Sequence, residues 1–231
     1  MTEEVLQKIK SHGYWFVVIR PLRFEKERIK SLDECRALVR ENAISLRGWN
    51  YPHYSEEIRN GIDYIECATD RQEKKELWRM YQSGQFAHLF ACNEDWWRES
   101  SWVPEHFKRY DPDTILDFVS TLYRITEIYE FASRLAAKNL FRDGLKLTIE
   151  LRNMKNRQMI TTDPARHLGE GYICTPKALP KTKTISNEEI LGKADELALD
   201  HVVWVLERFG WYTPSREVLK DIQSGLLERR L

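Results

Sequence analysis

Residues 61–92, GIDYIECATDRQEKKELWRMYQSGQFAHLFAC, decide the fold. They read as a three-stranded antiparallel meander, with strands over 62–69, 77–82 and 85–92. Ser83-Gly84 joins the last two strands, and its glycine supplies the positive φ that a two-residue hairpin connection needs. The stretch DRQE at 70–73 is a more solvated connection between the first two. Successive side chains of a strand point to opposite faces, so Trp78, Met80 and Gln82 share one face while Leu77, Arg79, Tyr81 and Ser83 share the other. Bulky groups on both faces predict a sheet that is covered on one side and functionally used on the other.

Working outward, residues 2–10 form a short helix capped by Thr2, with Glu3 and Glu4 placed to favour its dipole. The run YWFVVIR at 14–20 is continuous, apolar and β-branched, which predicts a strand buried on both faces and closed by Pro21. SLDE at 31–34 is a capping box, followed by Leu32, Cys35, Leu38 and Val39 at helical spacing. A short strand near Ile44 leads into a rigid turn at Gly48 and Pro52. After the meander, 93–111 reads as a long loop with a helical turn after Pro104, and 113–141 as the longest helix, striped by Phe118, Leu122, Ile125, Tyr129 and Leu135.

Residues 145–154 alternate cleanly, and Lys155-Asn156 reads as a turn into a strand over 157–162, a second hairpin. Residues 163–184 carry Gly, Pro, Thr and Lys without periodicity and read as a loop. Ser186 with Glu189 is a second capping box opening a helix to about 209. Gly210 stops it, and Thr213-Pro214 opens a last helix. The expected fold class is α+β: a mainly antiparallel sheet (meander plus a second hairpin) of five to seven strands, with the long helix and a C-terminal helix pair packed on it. Residues 1–231 are expected to form a single domain, sheet-rich over 1–98 and helix-rich over 111–231.

The 231 residues balance 36 basic against 36 acidic side chains, which argues against a general electrostatic grip on nucleic acid and leaves room for a local basic face. Cys35, Cys67, Cys92 and Cys174 form no CxxC pair and fit reduced core thiols in a cytoplasmic protein. No stretch approaches a membrane span, and the apolar run 15–19 is too short for a signal peptide, so no membrane partner is expected. There is no GxSxG, Walker loop, GxGxxG or zinc-ligand spacing, so the sequence names neither a reaction nor a cofactor.

The richest polar-aromatic group is Arg20, Arg47, Trp49, Tyr51, His53 and Tyr54, with Arg79, Tyr81 and Gln85 on the meander. Arginine offers a rigid donor fork and the rings offer faces, a combination that holds a phosphate, a carboxylate or a stacked ring. The expected partner is an anionic small molecule or a protein segment. A different chemistry is suggested by Asp143 and Glu150: an acid, a spacer and Glu-x-Arg on a strand resemble the Mg²⁺ site of PD-(D/E)XK nucleases. Arg152, which cannot give up its proton, stands there in the place of a lysine. His53 and His88 could approach across the sheet, whereas His201 falls on an apolar helix stripe and reads as a core histidine. Trp96, Trp97 and Trp102 form either a docking patch or a cover over the sheet edge. The loop 163–184 is locally basic through Arg166, His167, Lys177, Lys181 and Lys183, against Asp163 and Glu170, and is expected to order over an anionic ligand.

The segments Ile19-Arg20-Pro21, LRGWNYPH at 46–53 and WRMYQSGQF at 78–86 resemble a poorly characterised bacterial domain. That domain occurs alone or C-terminal to Schlafen-type (AlbA-like) ATP-binding domains, and the resemblance spans about residues 13–97. It implies a bacterial cytosolic accessory or sensing module in phage defence or regulation, and it supplies no catalytic residues.

Overall fold

The computed structural model describes residues 2–54, 57–163, 166, 168–169 and 171–230. Its strands are β1 (Tyr14–Pro21), β2 (Ile58–Asn60), β3 (Tyr64–Arg71), β4 (Lys74–Tyr81), β5 (Phe86–Ala91), β6 (Ile115–Asp117), β7 (Leu145–Arg152), β8 (Gln158–Ile160) and β9 (Ala178–Ile185). The helices are α1 (Thr2–Ser11), α2 (Leu32–Asn42), α3 (Phe118–Ala137), α4 (Asn187–Arg208) and α5 (Arg216–Leu227). Seven strands make one antiparallel sheet in the order β2-β3-β4-β5-β1-β7-β9, while β6 and β8 pair in parallel beside it. The fold is therefore α+β, with the long helix α3 and the C-terminal pair α4 and α5 packed over one face. The meander 61–92 supplies β3, β4 and β5, and strands from both ends of the chain complete the same sheet.

Alternation decides which face is sealed. Trp15, Val17 and Ile19 of β1, Trp78 and Met80 of β4, Phe86 and Phe90 of β5, and Leu147 and Ile149 of β7 are all buried under the helices. Their helical counterparts include Leu122, Ile125, Phe131 and Leu135 of α3 and Val202 and Leu206 of α4, in one continuous core. The intervening residues Tyr14, Phe16 and Val18 are only half-buried, so β1 is sealed on one face and not on both. The opposite face is covered only in part, by α1, which seats Val5 and Ile9 on Leu77. All four cysteines are buried, and no disulfide joins any of them among the described residues.

Three expectations need correction. The long helix starts at Phe118, because Asp117 caps it by accepting the Ser120 N–H at 2.7 Å, and residues 115–117 before the cap are strand. The strand after β7 does not fold back on it as a hairpin. Asn153 and Asn156 both take positive φ (59° and 68°), turning the chain off the sheet, and β8 pairs with β6 instead. Arg157 anchors that departure: its guanidinium is 0 % exposed and donates to Asp95 and Asp113 at 2.6 Å each. Finally, residues 178–185 are not loop but β9, the edge strand beside β7. The segment carries the lysines and proline that blunt a sheet edge, so it lacks the apolar alternation of an interior strand.

Candidate functional site

The sheet register places residues in rows across the uncovered face. One row runs Glu66, Arg79, Ala87, Val18, Thr148, Thr182 from β3 to β9. Its neighbour on the α1 side runs Ala68, Leu77, Leu89, Phe16, Glu150, Pro180. On the far side Tyr64 pairs with Tyr81, and Arg20 pairs with Lys146. Small residues in the middle row (Ala87 and Val18) between larger ones produce a groove of about 540 Å³. Its walls are Leu6 and Lys10 from the flank of α1, where i and i+4 lie side by side, and Tyr81 with Gln85 from the hairpin. A second depression of about 360 Å³ shares Tyr81 and Gln85 and continues past Arg20 and Lys146 to Phe24 and Lys26.

The floor is apolar, and the rim is mainly basic, with Asp63 as an acid lining the second depression. Arg79 donates to Glu66 at 3.0 Å and lies over the Tyr64 ring at 4.8 Å, and Arg152 pairs with Glu150. Lys10, Arg20, Lys26 and Lys146 have no ion-pair partner among the described residues. In a neutral chain these four form a local surplus of positive charge around an apolar strip.

Of the residues expected to form one polar-aromatic surface, Arg20, Arg79, Tyr81 and Gln85 meet at this groove. Arg47, Trp49, His53 and Tyr54 do not, since they lie on the helix-covered side. Ile44 and Tyr51 exchange two backbone hydrogen bonds of 2.8 Å, closing a turn with Gly48 at φ 79°, and this turn delivers Arg47, Trp49 and His53 inward. Arg47 donates through Nε and a terminal nitrogen to the two oxygens of Glu127 at 2.8 and 2.9 Å. Glu127 is itself 0 % exposed and also accepts from Arg124 at 3.2 Å. Trp49 Nε1 donates to Glu76 at 2.9 Å, its ring stacks on His53 at 3.9 Å, and Trp78 Nε1 donates to the His53 carbonyl at 2.7 Å. Tyr54 stacks on Trp78.

His53 and His88 do converge, though on a carboxylate rather than on each other. The backbone N–H of His53 donates to Glu76 Oε2 at 3.1 Å, and His88 Nε2 lies 3.0 Å from the same oxygen. Burial pushes the Glu76 carboxyl up, but the bonds from His88 and Trp49 outweigh it and hold the group at about 2. Burial, reinforced by Arg124 and Arg47, lowers the Lys74 ammonium to about 8. The opening beside Arg47 and Arg124 is a slot of about 20 Å³, room for one water. This network is a buried charge cluster with no space for a ligand, paired throughout its carboxylates while His88 Nδ1 has no hydrogen-bond partner among the described residues.

Asp143 of the nuclease-like pattern lies before β7, in the turn at Gly144 (φ 94°), whereas Glu150 stands well into the strand, with Leu145 to Glu150 alone spanning roughly 17 Å at about 3.3 Å per residue. Glu150 is held by Arg152. Among the tryptophans, Trp97 is buried, Trp96 lies under the Lys75 ammonium at 4.1 Å, and Trp102 is 84 % exposed. His201 is a core histidine, with Nδ1 3.2 Å from the Tyr129 hydroxyl. Of the expected basic cover, Lys181 points inward, 5.0 Å above the Trp204 ring, and Arg166 pairs with Asp163 at 2.9 Å. His167 and Glu170 lie outside the described residues.

Sequence reasoning missed Phe16, Val18, Ala87, Leu6 and Lys10 as groove residues. The signal was present in β1: YWFVVI carries a second set of apolar side chains on the face that a single short helix has to cover. Compared with protein-family models, with curated proteins and with solved structures, the chain has no match in any of the three.

Proposed function

We propose that this chain is a binding module whose partly uncovered sheet face takes an anionic ligand with an apolar body. The observation that carries this reading is the strip Phe16, Val18, Ala87 and Leu89, left open beside α1 and rimmed by Lys10, Arg20 and Lys146, which have no acidic partners among the described residues. Exposed apolar surface framed by polar groups is a common mark of an interaction site. Unpaired cations around it add steering for an anion. Arg79, Tyr81, Gln85 and Arg20 remain in the proposed site, whereas the buried Arg47 group serves the fold. The resemblance over about residues 13–97 favours an accessory or sensing role in bacterial phage defence or regulation, carried out in the cytoplasm.

The test uses anilinonaphthalene sulfonate, an anionic aromatic probe of accessible apolar surface. The native protein is expected to bind it with amide shifts confined to Phe16, Val18, Arg79 and Ala87. Val18→Asp is expected to abolish binding without changing the circular dichroism spectrum. Binding that leaves those amides unmoved, or survives Val18→Asp in a folded protein, overturns the reading.

A further inference from the structure

The same groove has the dimensions of one helix. α1 lies over β3, β4 and β5, with Leu6 and Lys10 on the flank that faces β1. Beyond it the apolar strip is narrow, because β7 presents Lys146, Thr148, Glu150 and Arg152 on this face, all polar. Adjacent strands are about 4.8 Å apart, so the open span from β5 across β1 to β7 is about 10 Å, close to the 8–10 Å between packed helix axes. Along β1 the strip runs from Tyr14 to Arg20, roughly 20 Å, the length of about 14 helical residues. A sheet face of this kind is ordinarily buried by helices side by side, and here one of two places is filled.

Resting on the proposal that this face is the binding site, we infer that its occupant is an amphipathic helix of a partner protein, apolar on one side and acidic on both flanks. Its aliphatic stripe would lie on Val18, Ala87 and Phe16, and its carboxylates would meet Arg79 on one side, Lys146 and Arg152 on the other, and Arg20 at one end. Helix-in-groove docking of this type reads apolar anchors at i, i+3, i+4 and i+7. The paired acids favour it over a nucleotide chain, since Glu66 and Glu150 would sit beside passing phosphates. A second copy of this chain is disfavoured by charge, since two basic rims would face each other.

The experiment measures fluorescence anisotropy with a labelled synthetic helix of about 18 residues bearing a leucine stripe and glutamate flanks. A twin peptide carries lysine flanks, and a labelled single-stranded oligothymidylate provides a third arm. The glutamate peptide is expected to bind the intact protein at least about tenfold more tightly than its twin. The double variant Arg20→Glu with Lys146→Glu, folded by circular dichroism, is expected to reverse that preference. Equal affinity for the two peptides, an unreversed preference, or binding of the oligothymidylate alone overturns the helix proposal. If the sulfonate probe still binds at Val18 in that event, the groove stands and only its occupant is wrong. If the probe fails as well, the site itself is wrong.

Discussion

Two arginines that look alike in the sequence do opposite work. Arg47 is bonded through two nitrogens to a carboxylate that water does not reach, while Arg79 has a side chain 38 % exposed on the rim of the groove. Removing one partner of a buried pair costs about 3–5 kcal/mol when the other charge is left unpaired, and Arg47→Ala incurs part of that because Arg124 still holds Glu127 at 3.2 Å; an exposed pair contributes about 0–1 kcal/mol. Arg47→Ala is therefore expected to lower the denaturation midpoint sharply, and Arg79→Ala to leave it nearly unchanged; similar midpoints for the two would show that the Glu127 network carries little stability. Gly13 sets a comparable trap. A Cβ there would lie 2.1 Å from an Arg157 terminal nitrogen and 2.9 Å from Asp95 Oδ2, while the Gly13 N–H already donates to Asp95 at 2.9 Å. Arg157 is fixed by several bonds and cannot swing away, so Gly13→Ala should cost about 3 kcal/mol, the loss expected when a buried pair is pushed apart. Urea denaturation measures both cases.

At the scale of elements, β9 separates what the sequence showed from what it hid. A basic, proline-bearing segment reads as a mobile cover, yet its residues pair with all eight residues of β7 and the Lys181 ammonium lies over the Trp204 ring. Limited trypsin digestion of the folded protein is therefore expected to spare the bonds after Lys181 and Lys183; rapid cleavage at either would mean that the edge strand is not stably paired. The meander, the N-caps at Ser31 and Ser186 and the C-terminal helix pair were legible because turn chemistry and capping are local, although at Ser31 the box is incomplete, the Glu34 carboxylate accepting from the Lys30 N–H instead of the cap's own. The cap at Ser186 lies where its residue places it, and the turn falls at Ser83-Gly84 with Gly84 at φ 83°, but it is one residue longer than the expected two: Tyr81 N–H donates to the Gln85 carbonyl, so Gln82-Ser83-Gly84 form the connection. The fate of residues 157–162 was not legible, because Arg157 binds acids 62 and 44 residues away and no local pattern encodes that distance. The site was half legible for a similar reason. Alternation assigns Arg79 and Tyr81 to a face, but only the pairing of β4, β5 and β1 shows that Arg47 and Trp49 are on the other side.

For the molecule as a whole, a core that holds both buried acids and buried histidines should answer to pH in two opposed ways. Burial raises the Glu94 carboxyl from 4.5 to about 7, with Asp117 close by adding to the shift. Between those values the folded protein holds a proton that the unfolded chain has released. Stability therefore falls as pH rises, by ~1.4 kcal/mol per pH unit. His201 behaves in reverse. Burial, with Lys181 and Lys183 adding to it, lowers the ring from 6.5 to about 3. The unfolded chain gains that proton first, so stability falls as pH drops from 6.5 towards 3. Glu76, held at about 2, adds its own loss below 4.5. Between pH 4.5 and 6.5 the Glu94 and His201 slopes oppose each other, and each single variant should expose the other's contribution. Glu94→Gln keeps an acceptor for the Asp117 N–H and is expected to gain about 3 kcal/mol over wild type between pH 4.5 and 7, with little further change above. His201→Phe leaves the Tyr129 hydroxyl without its partner, a constant cost, and its deficit against wild type should shrink as pH falls below 6.5. Thermal denaturation from pH 3 to 9 measures both differences. Two pH-independent offsets would mean that neither group changes its protonation on folding.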